Sequence, residues 1–241
     1  MPRFHVDSAL ATGADLALPP GAARHVQVLR LQPGSAITLF NGAGGEWQAT
    51  VTAMGRSHVQ VLVGEHRVME CEAARPVHLA TGVMASDRMD WLVEKATELG
   101  AASLTPLLAE RSPLRLAGER AQKKRSHWQA VAVAASEQSG RNRLMDVREK
   151  LTFQELFAGT QSARWLLSLD PTAAPIGTQV QALGADEPVT VLSGPEGGLS
   201  PGEEAAARAA GFVPVSLGAR VLRAETAPLA ALAVLTLAPS R

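Results

Sequence analysis

The chain has 241 residues, carries 23 basic and 23 acidic side chains for a formal net charge of zero, and is 46% hydrophobic. Charge neutrality excludes a polycation that coats nucleic acid indiscriminately, and the apolar content fills a sizeable core in one large or two modest domains. No run approaches the roughly 18 to 20 apolar residues of a membrane span, and a single cysteine, Cys71, leaves neither an internal disulfide nor a thiolate zinc cluster.

In chain order, the opening Met1-Pro2-Arg3-Phe4-His5 lacks a basic segment followed by an apolar run, so no secretory signal and a cytoplasmic location are expected. Residues 1–72 read as a small β-rich domain. Ala36 to Phe40, Glu46 to Thr52 and Ser57 to Val63 alternate apolar and polar residues, with Trp47, Ala49 and Val51 on one face and Val59, Val61 and Val63 on another. The glycines at 42, 44 and 45 have strand patterns on both sides and no helix after them, which predicts a hairpin turn and not a phosphate loop.

From 73 to 241 the pattern becomes α/β. A strand is expected over Val77 to Val83, and a helix over Asp87 to Leu99 aligns Met89, Leu92, Val93, Ala96 and Leu99 before Gly100 stops it. Leu104 to Leu108 resumes the sheet, Glu119 to Gln138 is a long helix, and Thr152 with Glu155 caps a short one. Trp165 to Leu169 and Val189 to Leu192 read as buried strands. Ser200-Pro201-Gly202-Glu203 is a capping box opening a helix that runs to Gly211, Phe212 to Leu217 is the last strand, and a final helix starts near Thr226 within the apolar segment Ala227 to Ala238. Alternation of this kind predicts a mostly parallel sheet.

Charge is uneven: residues 110–150 hold ten basic side chains against five acidic ones. Such a stretch fits either local phosphate contact or a solvated helix face. The six histidines form neither His-x-His nor His-Glu-x-x-His, so no metal site is expected.

Two loops carry the chemistry. Ser193-Gly194-Pro195-Glu196-Gly197-Gly198-Leu199 lies between a strand and a capped helix, where glycines admit close backbone approach and the helix start offers free amides. It is neither a Walker A loop nor a dinucleotide fingerprint. Leu217 to Thr226 joins the last strand to the last helix. Parallel strands bring both loops to one carboxyl edge, where open α/β sheets bind ligands. Arg223 and Glu225 fall in that crevice, either as chemical groups or as a pair that caps the helix.

Four motifs, Glu94 to Gly100, Ser136-Glu137-Gln138-Ser139-Gly140-Arg141-Asn142-Arg143, Gly194 to Gly198 and Leu217 to Thr226, stand in the order and spacing of a known family. With Pro2-Arg3-Phe4 and His25 to Leu31 matching its opening segments, the chain resembles the RsmE family of the SPOUT superfamily over nearly its whole length. The resemblance implies an RNA-binding PUA-like β-barrel over 1–72, then a trefoil-knotted SPOUT domain over 73–241, in a homodimer with sites at the subunit interface. The implied reaction is S-adenosylmethionine-dependent methylation of N3 of a specific uridine in 16S rRNA. By position, main chain at Leu169, Ser193, Gly194, Leu217, Gly218 and Leu222 holds the cofactor and Gly197 and Gly198 leave room for it; Pro195, Glu196 and Val221 complete the two loops. Ala224, Pro228 and Ser139 depart from the family's pattern without removing a group given a chemical role.

Uracil N3 is an imide nitrogen that must lose its proton before or during attack. Arg223 is expected to stabilise the anion by donating to a uracil carbonyl. Glu225 is expected either to accept the proton or to orient Arg223. For RNA contact the expected residues are Arg3, Arg30, Arg141 and Arg143, with Asn142 reading a base edge. Ribose 2′-O-methylation and a non-catalytic RNA-binding role remain the alternative readings, and free rRNA and the assembled subunit both remain open as substrate.

Overall fold

A computed structural model describes residues 1–56, 58–159 and 162–237; Ser57 of the expected third strand and Ala238 of the expected last helical segment lie outside the described residues. Two compact units result, Met1–Glu72 with Ser136–Leu144, and Ala73–Ala135 with Met145–Arg241. The segment 136–144, read from sequence as part of the second domain, belongs with the first unit.

The first unit contains β1 (Arg3–His5), β2 (Asp15–Ala17), α1 (Pro20–Val28), β3 (Ala36–Phe40), β4 (Glu46–Met54) and β5 (Val59–Arg67). They form a five-stranded sheet of order β1-β3-β4-β5-β2, parallel only between β1 and β3. Period-two alternation drives Ile37, Leu39, Ala49, Val51, Val59, Val61 and Val63 into one core with Phe4 and with Ala22, Ala23 and Val26 of α1. The 41–45 turn is a hairpin, as the flanking patterns predict, and Gly42, Gly44 and Gly45 all take positive φ. Neither α1 nor its end was anticipated: Arg30, with φ 54°, sits where glycine normally closes a helix, while its N–H and that of Leu31 bond back to Gln27 and Val26.

The second unit contains β6 (Val77–Gly82), α2 (Ser86–Glu98), β7 (Ser103–Leu107), most of α3 (Gly118–Ser139), β8 (Asp146–Val147), α4 (Phe153–Gly159), β9 (Ala163–Leu167), β10 (Ala174–Pro175), α5 (Ile176–Ala182), β11 (Val189–Ser193), α6 (Pro201–Ala209), β12 (Val213–Ser216) and α7 (Thr226–Thr236). Its seven-stranded sheet has the order β10-β12-β9-β11-β6-β7-β8, with every pairing parallel. All strands therefore end at one edge. β7 and β11 are buried at every position, as parallel strands covered on both faces are, although each carries two polar residues. The face of α2 bearing Met89, Leu92, Val93 and Ala96 is buried as its spacing predicts, and Gly100, at φ 88°, follows its end. α7 is apolar nearly all round and packs on β6, β11 and α2. Pro228 is buried in its first turn, where the missing N–H removes no helical bond.

Candidate active site

The geometry of the site starts with β9, β11 and β12, which lie side by side and end together. Beyond those ends, the residues after β9, the 193–199 loop after β11 and the 217–224 loop after β12 line one cleft of about 190 Å³. Of the residues expected to bind a cofactor, Leu169, Ser193, Gly194, Pro195, Gly198, Leu217, Gly218 and Leu222 line it. β9 ends two residues earlier than the apolar run suggests, so Leu169 falls on the loop with its side chain exposed.

Glycine is required here for distinct reasons. A Cβ on Gly194 would stand 2.8 Å from the Leu199 nitrogen and 2.9 Å from the Gly198 carbonyl carbon, so the loop folds tightly on itself only without a side chain. A Cβ on Gly82, at the end of β6, would strike Pro195, at 2.6 Å from its nitrogen. Gly198 and Gly218 have φ of 70° and 102°, and a Cβ on either would meet no protein atom: open space adjoins both. The loop then enters α6 through a complete capping box, in which the Ser200 hydroxyl accepts from the Glu203 N–H and the Glu203 carboxylate accepts from the Ser200 N–H at 2.8 Å.

Glu196, Gly197 and Val221 do not line the cleft. Glu196 accepts a 3.0 Å hydrogen bond from the Ala85 N–H and lies 3.5 Å from Arg88. Gly197 gives its carbonyl to Arg111, which also reaches the Leu199 carbonyl at 3.2 Å. Val221 is exposed. Sequence reasoning placed Leu199, Arg220 and Ala224 in the two loops without giving them a cofactor contact, and did not single out Leu167, Ser168, Glu204, Val215 and Ala227; these eight complete the lining. Most are immediate neighbours of expected residues and could have been found by extending each loop by one or two positions.

At the chemical end, Glu225 is 8% exposed and its Oε2 has no hydrogen-bond partner among the described residues. Its nearest cation is Arg88 at 4.0 Å, so the charge facing it comes from α2 and not from Arg223. The Arg223 side chain is exposed, and its carbonyl accepts from the Thr226 and Ala227 amides at the start of α7, which fixes its backbone and leaves the guanidinium without a partner among the described residues. No ion pair joins Arg223 to Glu225 among the described residues. Ser193, which lines the cleft, and Thr81 beside it on β6 both bury hydroxyls without a partner among the described residues. An unsatisfied buried hydroxyl at an open cleft fits a polar ligand. Below the cleft, Asp170 accepts from the Thr172 amide and hydroxyl and from Arg208, which together hold its carboxyl below the ordinary carboxylate value and order the loop after β9.

The residues expected to touch RNA divide into two sets. Arg3 is paired with Glu46, donates to Asn142 Oδ1 at 2.6 Å and stacks over Phe40. Arg141 is 4% exposed and forked onto Glu72, with Nη2 at 2.5 Å. Asn142 is fully buried, with its amide nitrogen donating to the Met69 carbonyl. All three side chains are engaged within the first unit, by Glu46, Glu72, the Met69 carbonyl and one another. Arg30 and Arg143 remain exposed.

Comparison with known proteins now gives the class. Residues 71–236 match the RNA methyltransferase domain, and residues 18–64 match the RNA methyltransferase PUA domain. The ribosomal RNA small subunit methyltransferase E of Synechocystis is 35% identical over 86% of this chain and 67% of its own. The crystal structure of a ribosomal RNA small subunit methyltransferase E from Neisseria gonorrhoeae bound to S-adenosyl methionine superposes with TM-score 0.91 at 36% identity, covering 97% of this chain and 96% of that one. A putative methyltransferase from Legionella pneumophila, in complex with bound SAM, gives the same TM-score at 31% identity and the same coverage. The fold and its loops are those of an RNA methyltransferase with a PUA domain. More narrowly, the chain belongs to the ribosomal RNA small subunit methyltransferase E family.

Proposed function

We propose that this protein binds S-adenosylmethionine in the cleft between the 193–199 and 217–224 loops and methylates N3 of a uridine in 16S rRNA. One observation carries the reading: a glycine-lined cleft that includes Ser193, whose buried hydroxyl has no partner among the described residues, is also lined by Leu222 and Ala224, the chain neighbours of Arg223 and of the buried Glu225. Relatives solved with the same ligand support it. When bound, that cofactor supplies a sulfonium methyl group.

The chain's own part is positioning and charge. Main chain at Leu169, Ser193, Gly194, Leu217, Gly218 and Leu222 holds the ligand, and Gly198 leaves it room. The free Arg223 guanidinium donates to a uracil carbonyl and stabilises the anion that forms as N3 loses its proton. Glu225, low in solvent and with an oxygen unpaired, accepts that proton. Arg88, which faces Glu225, takes the orienting role, so Glu225 is not needed to hold Arg223. Arg30 and Arg143 contact RNA from the first unit. A homodimer is part of the proposal and would cover apolar side chains such as Trp91 of α2 and Val234 of α7, both partly exposed. Among the described residues no helix is long and apolar enough to cross a membrane; the cytoplasm, where ribosomes assemble, is the proposed location.

The test is nucleoside mass spectrometry on small-subunit rRNA from cells with and without the protein. Loss of 3-methyluridine is expected, and loss of a ribose-methylated nucleoside instead would replace the reading. In vitro, Arg223→Ala should abolish transfer while calorimetry shows cofactor affinity nearly intact.

A further inference from the structure

A larger cavity, of about 490 Å³, opens elsewhere in the same unit and takes no part in the site described above. Its lining includes Pro106 at the end of β7, Arg148 and Lys150 just past β8, and Arg125 and Trp128 of α3. Because every strand pairing of the sheet is parallel, the ends of β7 and β8 lie on the same edge as the ends of β9, β11 and β12. The order β11-β6-β7-β8 separates the two openings by two to three strand spacings, about 10 to 15 Å. The residues between them are already tied to the cleft, since Arg111 follows β7 and donates to the Gly197 and Leu199 carbonyls.

The cavity is charged in one sense. Arg125 is held by its Nε, which donates to the Val147 carbonyl at 2.8 Å, and its terminal nitrogens carry no ion pair among the described residues. Lys150 likewise has no salt bridge there, and Arg148 has only Asp146 at 3.3 Å, both half-exposed. Against three cations the lining carries one acid, Glu149. The floor is rigid, because Trp128 is buried and anchored through its indole N–H to Asp90 at 3.0 Å. This accounts for part of the excess of basic residues over 110–150, which the methyl-transfer site leaves unused.

We infer that this cavity binds the phosphodiester backbone of the RNA substrate a few nucleotides from the methylated base, with Arg125, Arg148 and Lys150 as phosphate ligands. The inference rests on the proposed function for its choice of substrate. Three cations facing one acid, with Arg125 fixed by a backbone hydrogen bond and Arg148 held only by a half-exposed pair with Asp146, suit a polyanion that must pass the cleft on the edge that carries the reaction. Among the described residues, none that lines this cavity also lines the methyl-transfer cleft, so the cavity should affect RNA binding alone.

The experiment compares the parent protein with Arg148→Glu/Lys150→Glu and with the milder Arg148→Ala/Lys150→Ala, both changes being at solvent-accessible positions. Fluorescence anisotropy with a 16S rRNA fragment should show affinity reduced about tenfold or more, and the dependence of log affinity on log salt should become shallower by about 1.4 for the alanine pair, at about 0.7 per lost contact on single-stranded RNA. KM for RNA should rise in parallel, while cofactor affinity by calorimetry, kcat at saturating RNA and the melting temperature stay at parental values. Unchanged RNA affinity and salt slope in both variants would overturn the inference. So would protection of the cavity by inorganic phosphate with no competition against RNA, which would mark a small-anion site. If the parent binds RNA but transfers no methyl group, the proposed function fails while the binding comparison still reads this cavity.

Discussion

The Arg88 guanidinium stands 4.0 Å from the Glu225 carboxylate and 3.5 Å from that of Glu196, so one α2 side chain ties together the two loops that form the cleft. Glu196 also accepts from the Ala85 amide at the start of the same helix. Coulomb attraction at such distances is worth a few kcal/mol at most near a surface, and Arg88 is about one-third exposed, which lowers it further. Its value is geometric. Arg88→Ala should lower kcat/KM for methyl transfer about 10- to 100-fold, as expected when reacting groups are displaced by about 1 Å. Arg88→Lys should recover only part of this, because an ammonium on a flexible stem lacks the planar, pre-set geometry that aims Nη1 at both carboxylates. Steady-state kinetics with circular dichroism as a folding control would check it.

Gly194→Ala should cripple cofactor binding without unfolding the domain. The added Cβ would meet main-chain atoms of Leu199 and Gly198 at 2.8 and 2.9 Å, and backbone cannot swing aside as a side chain can. The loop must open, and an affinity loss of at least about tenfold, or 1.4 kcal/mol, is expected by calorimetry with S-adenosylmethionine. Gly202→Ala is the matched control. Its Cβ would have only the Ser200 hydroxyl oxygen nearby at 3.9 Å, and inside α6 it should leave binding unchanged and add about 0.5 to 1 kcal/mol of stability.

Stability and RNA contact should separate between two neighbouring arginines. Arg141 is buried against Glu72, whereas Arg143 is exposed, with Glu70 at 3.6 Å. Glu72→Ala leaves the buried guanidinium without its carboxylate, for which about 3 kcal/mol of lost stability is expected, the low end of the range because Glu72 is one-fifth exposed. Arg143→Ala should melt as the parent does yet bind 16S rRNA more weakly. Urea unfolding beside anisotropy titrations checks both, and weaker RNA binding by a fully folded Arg141→Ala would reverse the structural assignment made above.

The sequence exposed most of the fold wherever a periodic apolar pattern was long. α2, β11, the α6 capping box and the β3–β4 hairpin appear where spacing and turn residues put them. The elements without a counterpart among those expected are mostly short: β1 and β2 have three residues each, β8 and β10 two, and α5 buries none of its side chains; α1, nine residues with Ala22, Ala23 and Val26 buried, is the longest of them. Strand order was not legible, because parallel neighbours such as β11 and β6 are more than a hundred residues apart. The two cleft loops could be found from glycine content and position. Arg88 could not, since nothing local to an amphipathic helix says that one of its polar residues meets Glu196 and Glu225. The burial of Arg141 and Asn142 was not legible for a related reason: Glu72, Met69 and Arg3, which supply their partners, are distant in sequence.

A final expectation concerns acid stability. His78 on β6 has its Nδ1 2.8 Å from the Ser103 hydroxyl, and burial first, then the positive charge of Arg148, pushes its pKa below the ordinary 6.5. The unfolded chain therefore takes up a proton at this site at higher pH than the folded one does. Unfolding free energy should fall as pH drops below about 6.5 and level off once the folded form also protonates, whereas above 6.5 both states are neutral and the site contributes no slope. His78→Gln, which keeps a hydrogen-bonding side chain but cannot titrate, should flatten that part of the profile. Arg148→Gln should flatten it only partly, because desolvation is the larger cause and would remain. Urea titrations across the weakly acidic range read the slope directly; a profile unchanged by His78→Gln would assign the acid sensitivity to other groups.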